Sequence, residues 1–265
     1  MRKIAVLLLA AAGVGLAGAA SAADLGTAPI YRKAPPPVQV FSWTGGYIGG
    51  YVGGAFGAKD AVTGVPVTGA GAPIFAGPAA SYNLDSSVIG GYTSGYNYQF
   101  APNWVIGYEG ETGYIGVKGA SAYAGSPTSI ATTRAEGLYS VWAARFGYAF
   151  DRSLLYVKGG AALVNFETGV SDGSAPGVHL DTMHSKYRLG YAIGGGWEYA
   201  FDNKWSVKAE YLYLGFDNNI TNTGNLGGNA GTQVWTTTSL PGIHTAKVGL
   251  NYKFDVLGYF LGVVR

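Results

Sequence analysis

The chain has 265 residues, a formal net charge of +2 at pH 7 and no cysteine. Only 12% of the residues are charged, whereas 44 are glycine, 20 are tyrosine and 6 are tryptophan. The weak net charge argues against a nucleic-acid partner, and the lack of cysteine excludes a fold held by disulfides. Few charges together with many aromatic residues suit a surface that faces lipid better than one that faces water.

The first 22 residues have the parts of a secretory signal peptide. A basic pair precedes an apolar, uncharged stretch at residues 4–17, and Ala20-Ser21-Ala22 has the small-x-small form of a cleavage site. We predict cleavage between Ala22 and Ala23. An uncleaved membrane anchor is the alternative, but the apolar core is short compared with the ~20 residues that a spanning helix needs.

The mature chain begins with a linker, residues 23–42, that contains three consecutive prolines. Such a segment is expected to be extended and unpaired, and we place it in the periplasm. From residue 43 onward the apolar residues recur with a period of two, which predicts β-strands. We predict one domain at 43–254 and a C-terminal tail at 255–265. The predicted strands are 43–57, 86–100, 104–118, 136–150, 154–168, 185–201, 205–215 and 244–254.

The connections between the predicted strands alternate in length. Three short ones begin at Phe100, Phe150 and Phe201, each after an aromatic strand ending, and Phe254 closes a fourth copy of that ending. Short turns at one end and long loops at the other are typical of outer-membrane barrels, in which the turns face the periplasm. The sequence therefore predicts an all-β fold, an eight-stranded antiparallel up-and-down transmembrane β-barrel. Its predicted long loops are 58–85, 119–135, 169–184 and 216–243.

The positions of charges within the strands indicate which face is the lumen. In a transmembrane barrel, lumen-facing residues alternate with lipid-facing ones. In five strands the charges share one phase, apart from strand-end residues such as Lys118, and most aromatic residues take the other. In the strand at 154–168 only Lys158 indicates the phase. This pattern predicts a lumen charge network with a structural role. Its predicted members are Glu109, Glu111, Arg145, Lys158, Lys186, Arg188, Glu198, Lys208, Glu210, Lys247 and Lys253.

Several segments occur in an order that resembles one known family. They are residues 20–25, 31–35, 43–49, 104–110, 155–160 and 248–254. Together they resemble the small outer-membrane "porin family" proteins, the RopB-like surface antigens with an outer-membrane β-barrel domain. The resemblance implies an eight-stranded barrel that is abundant at the cell surface and supports envelope integrity. It brings no catalytic residues, although some family members bind haem.

Two interpretations of function follow. The first is a structural and surface-interaction role in the cell envelope, with the lumen plugged by ion pairs, because eight strands leave room only for side chains or one small ligand. The second is a narrow porin or an accessory for the uptake of haem or another small ligand. The sequence does not separate the two cleanly, but the strand count favours the first.

Candidate sites for other chemistry are weak. The three histidines, His179, His184 and His244, lie in or beside predicted outer loops. His179 and His184 could ligate haem iron or a metal, but no spacing motif supports this. We therefore predict no cofactor and no metal. The Glu109 and Glu111 pair suggests acid–base catalysis, yet alternating lumen positions among Arg and Lys explain it better, so no enzyme activity is predicted.

The expected partners are outer-membrane lipid, lipopolysaccharide and the barrel-assembly machinery, while the oligomeric state stays open. We predict that Phe254 is the assembly signal, although eleven residues follow it. The alternative is a shifted final strand that uses Phe260. We prefer Phe254, because a one-residue slip would turn Lys247 and Lys253 into lipid.

Overall fold

The computed structural model describes residues 41–172, 180–216, 219–226 and 232–254. Within these ranges every regular element is a β-strand. They contain no helix with the length and apolarity needed to cross a bilayer. The predicted signal peptide, nearly all of the predicted linker, His179 and the C-terminal tail lie outside the described residues, so what was predicted of them stays a prediction.

The described chain contains fourteen strands. In order they are β1 (Gly45–Gly57), β2 (Ala61–Thr63), β3 (Val67–Thr68), β4 (Ala80–Tyr82), β5 (Ser87–Gln99), β6 (Trp104–Tyr123), β7 (Ser126–Phe150), β8 (Ser153–Asp172), β9 (Leu180–Asp181), β10 (His184–Ala200), β11 (Trp205–Gly215), β12 (Asn219–Leu226), β13 (Gln233–Ser239) and β14 (Ile243–Phe254). Eight of them form an antiparallel ring in the order β1, β5, β6, β7, β8, β10, β11 and β14, and β14 pairs back to β1. The predicted eight-stranded barrel is confirmed.

The strand ends at the short turns agree with the prediction to within two residues. One of these turns is held by Asp202, whose carboxylate accepts the backbone N–H groups of Lys204 and Trp205 at 2.7 and 2.6 Å. These two hydrogen bonds lower the pKa of Asp202. An aspartate that binds the backbone two and three residues ahead stabilises a tight turn, which explains why this connection is so short.

The long connections are more ordered than predicted. The predicted loop at 119–135 is wrong, because β6 continues to Tyr123 and β7 begins at Ser126. The inward positions of this hairpin hold small or polar side chains, and Ala131, Thr133 and Ala135 are all fully buried. Apart from Tyr123, the inner face of this hairpin lacks large apolar residues, so the alternation is weak in hydropathy and indicated no strand.

A second sheet region extends the barrel beyond the ring, and we call it the outer extension. It comprises β2, β3, β4, β9, β12, β13 and the ends of β6, β7 and β8; β12 pairs with β9 and β13, and β13 pairs with β2 and β3. Its apolar core includes Tyr82 and Tyr123, and burial raises the pKa of both phenols. The extension is therefore a packed structure, and the other predicted loops also contain strands.

Three layers of side chains fill the lumen, and β6 passes through all of them. Val105 lies in an apolar layer near the short turns, Glu109 and Glu111 lie in an ionic layer, and Ile115 and Val117 lie in a larger apolar layer beyond it. In outer-membrane barrels the short turns mark the periplasmic end. We therefore name the three the periplasmic apolar layer, the ionic layer and the outer apolar layer.

The residues before β1 close the periplasmic end. Trp43 is 3% exposed and belongs to the periplasmic apolar layer. Its backbone N–H donates to the Gln99 side-chain oxygen at 2.9 Å, and its indole N–H donates to the Asp151 carbonyl at 3.2 Å. Phe41 packs edge-on against this indole, with ring centroids 5.1 Å apart. These contacts cover the periplasmic side of the ionic layer.

Large apolar side chains point outward along the barrel wall and form two aromatic belts. The periplasmic belt includes Trp104, Phe146, Phe150, Trp197, Phe201, Trp205 and Phe254, and the outer belt includes Phe56, Tyr114, Tyr187, Tyr191 and Tyr211. Aromatic girdles at both interfaces of an apolar band are typical of transmembrane barrels. The outward phase predicted for the aromatic residues of β6, β7, β10, β11 and β14 is confirmed by their exposure.

Candidate functional site: the ionic layer

The ionic layer consists of eight charged side chains from six ring strands. They are Glu109, Glu111, Glu198 and Glu210, together with Arg145, Lys158, Lys208 and Lys247. Each is at most 5% exposed. Four carboxylates face four cations, so the formal charge of the layer sums to zero. Charges removed from water require such pairing, because an uncompensated one is costly.

Strand register brings part of the layer together. In the ladder between β11 and β14, Glu210 lies directly opposite Lys247, and their side chains are 3.1 Å apart. Between β7 and β8, Arg145 lies opposite Lys158, so two cations are neighbours. Cross-strand partners share one face of a sheet, and like charges in that position repel. Carboxylates from across the lumen must therefore separate these two cations.

Glu109 fills that role at the centre of the layer. One of its carboxylate oxygens is 2.5 Å from the Lys158 ammonium, and the other is 2.9 Å from Lys208 and 3.6 Å from Arg145. The Tyr47 hydroxyl donates to the same carboxylate at 2.8 Å. Three cations and one hydroxyl therefore surround a single carboxylate and take the place of the water that would otherwise solvate it.

The other three carboxylates are also satisfied by cations. Glu210 lies 3.1 Å from Lys158, and Glu198 accepts from Arg145 at 2.8 Å. Glu111 pairs with Lys247 and lies 3.6 Å from Lys158. Lys158 therefore contacts three glutamates at once.

Neutral donors, none of which was predicted from the sequence, complete the layer. Tyr139 donates to Glu111 at 2.7 Å, Tyr156 to Glu210 at 2.8 Å, and Ser206 to Glu198 at 2.6 Å. The Arg145 guanidinium also lies 3.9 Å from the centroid of the Tyr156 ring. Parity along the strand could have found Tyr156, because it precedes Lys158 by two residues and so faces the same side.

Three predicted members lie outside the ionic layer. Lys253 is at the periplasmic rim, where its ammonium donates to the Ser42 carbonyl and lies 4.4 Å from the Phe41 ring centroid. Lys186 and Arg188 lie toward the outer end of β10, and neither forms an ion pair with a residue that the structure describes. Phase along a strand specifies a face but not a height, and these three residues differ in height from the other eight.

A cluster of three carboxylates raises the question of a metal. Oxygens of Glu109, Glu111 and Glu210 all lie within 4.8 Å of one another. The Lys158 ammonium already contacts all three, at 2.5, 3.6 and 3.1 Å. Since an ammonium supplies the positive charge that a metal would bring, this arrangement fits an internal ion cluster.

The two described histidines occupy different environments. His184 begins β10, and its Nδ1 lies 3.0 Å from the Thr182 carbonyl. His244 lies among aromatic side chains of the outer belt, with its ring centroid 5.2 Å from that of Phe56. The structure records no contact between these two rings, so it assembles no histidine pair that would ligate haem iron within the described ranges.

Comparison with known proteins identifies the family. The sequence profile of the outer membrane protein beta-barrel domain matches residues 7–254. The chain belongs to this family. Two relatives by sequence, from Brucella melitensis biotype 1 and Brucella suis biovar 1, are both called 31 kDa outer-membrane immunogenic protein. Each is 33% identical over 261 residues, which cover 94% of this chain and 99% of the relative.

The fold is also similar to solved structures. The outer membrane protein OprG from Pseudomonas aeruginosa matches with a TM-score of 0.50 and 15% sequence identity, over 80% of this chain and 98% of that one. At this identity the likeness shows the fold alone. Family membership and the closed ring together make this chain an integral outer-membrane β-barrel protein, whose lipid-facing wall contacts the outer membrane.

Proposed function

We propose that this barrel has a structural and surface-interaction role in the cell envelope and does not conduct ions. The observation that carries the proposal is the neutral ionic layer, enclosed between two apolar layers. Glu109 and Glu111 are each 1% exposed and are held by internal cations. Because both carboxylates are already occupied, we also propose that the ionic layer has no catalytic role.

The two apolar layers are the reason why this lumen is a poor ion path. An ion that entered from outside would first meet Ile115, Val164 and Leu212, which are at most 1% exposed. Beyond the ionic layer it would meet Val105 and Leu154. Apolar side chains offer no substitute for the hydration shell of an ion, and an eight-stranded barrel is narrow enough for side chains to fill it.

Planar-bilayer recording tests the proposal directly. The refolded mature protein is expected to insert without giving a steady conductance in 1 M KCl, because apolar side chains close the lumen on both sides of the ionic layer. Insertion is verified independently by faster gel migration of the unheated sample. A steady, reproducible conductance from protein that has passed this check would overturn the closed-lumen proposal and favour the narrow porin.

The outer extension is the surface that we propose for interaction outside the cell. It rises beyond the ring and has its own buried core, in which Tyr82, Thr63 and Thr133 share hydrogen bonds of 2.8 Å. Such a packed surface presents one fixed shape to a binding partner. The Brucella relatives are named as immunogenic, and we propose that the extension carries the corresponding surface in this protein.

We propose that lipopolysaccharide and the barrel-assembly machinery are the partners of this barrel in the membrane. The outer aromatic belt supports contact with outer-leaflet lipid. Phe254 is the last residue of β14, faces outward with 44% exposure, and lies opposite Gly46 of β1 at the seam that closes the ring. A terminal aromatic residue on the closing strand is well placed to be the assembly signal.

Replacing Phe254 tests the assembly signal. Phe254→Ala is expected to reduce the amount of heat-modifiable barrel in outer-membrane fractions several-fold, while deletion of residues 255–265 leaves it unchanged. Phe150→Ala is the matched control, because Phe150 is also an outward phenylalanine at the periplasmic rim, with 60% exposure, but ends β7. If the deletion fails to assemble and Phe254→Ala assembles normally, the signal lies in the tail.

A further inference from the structure

The barrel wall has a notch at its outer end, between β10 and β11. The last pair in this ladder joins Tyr191 to Gly215, where β11 ends. β10 continues to His184, and over residues 184–190 its only partner among the described residues is β8. The notch consists of this stretch of β10, the end of β11 and the next residue, Phe216.

Two cations line the inner face of the notch. Lys186 and Arg188 lie opposite Phe166 and Val164 of β8, and both of those residues are fully buried. Cross-strand partners share a face, so the two cations point to the lumen side. Lys186 is exposed and Arg188 is partly buried. They are two residues apart on one strand, and therefore lie side by side.

These cations lack the partners that every cation of the ionic layer has. Neither has an ion pair or a side-chain hydrogen bond to any residue in the described part of the chain, and the Nε of Arg188 is buried without an acceptor. A buried donor without an acceptor is uncommon and calls for an explanation. An anion bound from outside would provide the acceptor.

The floor of the notch keeps these side chains from reaching the ionic layer. A methyl group added to Gly190 would collide with the Gly215 carbonyl and the Phe216 ring, so the inner face is filled directly below Arg188. Phe216 also packs edge-on against Phe166, with ring centroids 4.9 Å apart. The glutamates of the ionic layer therefore lie behind the outer apolar layer, out of reach of Arg188.

The outward neighbours of the two cations indicate the depth of the notch in the membrane. Tyr187 and Leu189 alternate with them and are 55% and 64% exposed on the lipid-facing side. Tyr191 lies below, with its ring centroid 6.0 Å from that of Tyr213. Tyrosine rings collect where hydrocarbon meets the headgroups, so the notch lies at headgroup level in the outer leaflet.

We propose that Lys186 and Arg188 bind a phosphate group of an outer-leaflet glycolipid. A guanidinium offers a planar pair of donors that matches two phosphate oxygens, and the neighbouring ammonium adds a second positive charge. The site is part of the proposed lipopolysaccharide contact, and this inference rests on that proposal. The chemistry recognised is the phosphate monoester, which the glycolipid holds at this depth. Among the described residues no strand pairs with the β11 side of β10 over residues 184–190, and the phosphate reaches the lumen-side cations through this gap in the wall.

Titration of the refolded full-length mature chain in detergent tests the site. The probes are a bis-phosphorylated lipid A, the same glycolipid without its phosphates, and inorganic phosphate. Wild-type protein is expected to bind the phosphorylated glycolipid at least tenfold more tightly than either other probe. The K186Q/R188Q variant is expected to lose that tenfold preference, and R188K is expected to lose part of it, because lysine lacks the fork.

The matched control removes two cations elsewhere. Lys59 and Lys204 are exposed and lie outside the notch, so K59Q/K204Q has the same net charge as K186Q/R188Q and is expected to bind like wild type. All variants must keep heat-modifiable migration. If folded K186Q/R188Q keeps the preference, or if inorganic phosphate binds as tightly as the glycolipid, the site proposal is overturned. If folded wild-type protein binds neither form of the glycolipid, the proposed lipopolysaccharide contact itself fails. If wild type binds and K186Q/R188Q keeps the preference, only the site at the notch fails.

Discussion

Replacing Arg145 by alanine is expected to lower the free energy of unfolding by about 3–5 kcal/mol, the range for breaking one partner out of a buried ion pair. Arg145 is 2% exposed, donates to Glu198 at 2.8 Å and lies 3.6 Å from Glu109. Its removal leaves four buried carboxylates facing three cations. Urea unfolding of the protein in lipid vesicles measures the loss.

The same strand provides the control. Arg134 of β7 pairs with Glu167 at 3.7 Å, but the two side chains are 45% and 36% exposed. Exposed pairs contribute about 0–1 kcal/mol, so Arg134→Ala is expected to cost no more than that. A third variant, Arg145→Met with Glu198→Gln, removes one charge of each sign and restores neutrality. It is expected to recover part of the loss seen with Arg145→Ala.

The contrary result is specific. If Arg145→Ala costs as little as Arg134→Ala, the ionic layer is hydrated and the buried-pair argument is wrong. If that variant also gives a steady conductance, Arg145 acts as a gate and the transport interpretation gains. If the double variant is no more stable than Arg145→Ala, charge balance is not what stabilises the layer.

Placing arginine at Val248 is expected to cost about 2–4 kcal/mol, as measured for cations on the lipid face of barrels near the bilayer midplane. Val248 lies in the middle of β14, opposite Val52 of β1, and the two side chains are 55% and 54% exposed on the wall. An arginine there either loses its hydration in the hydrocarbon or distorts the bilayer so that water and headgroups reach it, and both cost free energy. Unfolding in lipid vesicles again measures the loss.

An exposed valine outside the membrane separates the lipid effect from the substitution itself. Val62 in β2 of the outer extension is 39% exposed, and Val62→Arg is expected to change stability by no more than about 0.5 kcal/mol, as for ordinary surface sites. Equal losses at Val62 and Val248 would contradict the placement of Val248 at the midplane. A full loss at Val62 alone would put the extension, rather than β14, in contact with lipid.

Much of the barrel could be predicted because its rules are local. A strand with one face to lipid and one to the lumen alternates with period two. This period placed Glu109 and Glu111 on the lumen face and Trp104 and Tyr108 on the lipid face of the same strand. Short turns need residues that favour a sharp bend of the backbone, and the segments at 100–104, 150–154 and 201–205 contain such residues. Strand number, phase and the turns at the periplasmic end are therefore properties of short stretches of sequence.

The outer extension was missed for a physical reason. Its buried positions hold side chains such as Thr63, Ala131 and Thr238, which are fully buried although they are small or polar. Their hydroxyls are satisfied by one another, as in the 3.0 Å contact between Thr63 and Thr238, which are far apart in sequence. A hydropathy pattern cannot show that a polar residue will meet its partner.

From its sequence alone, this protein could be identified as an eight-stranded barrel with its charges on the inner face, because alternation and turn chemistry act between near neighbours. Only the tertiary structure decided which of those charges meet. Arg145, Arg188 and Lys253 all share the inward phase, yet their contacts differ. Arg145 is paired with glutamates, Arg188 lies in the notch without a partner among the described residues, and Lys253 contacts Phe41 and Ser42. Height in the lumen depends on how strands distant in sequence are staggered when the ring closes, and that stagger is a property of the whole sheet.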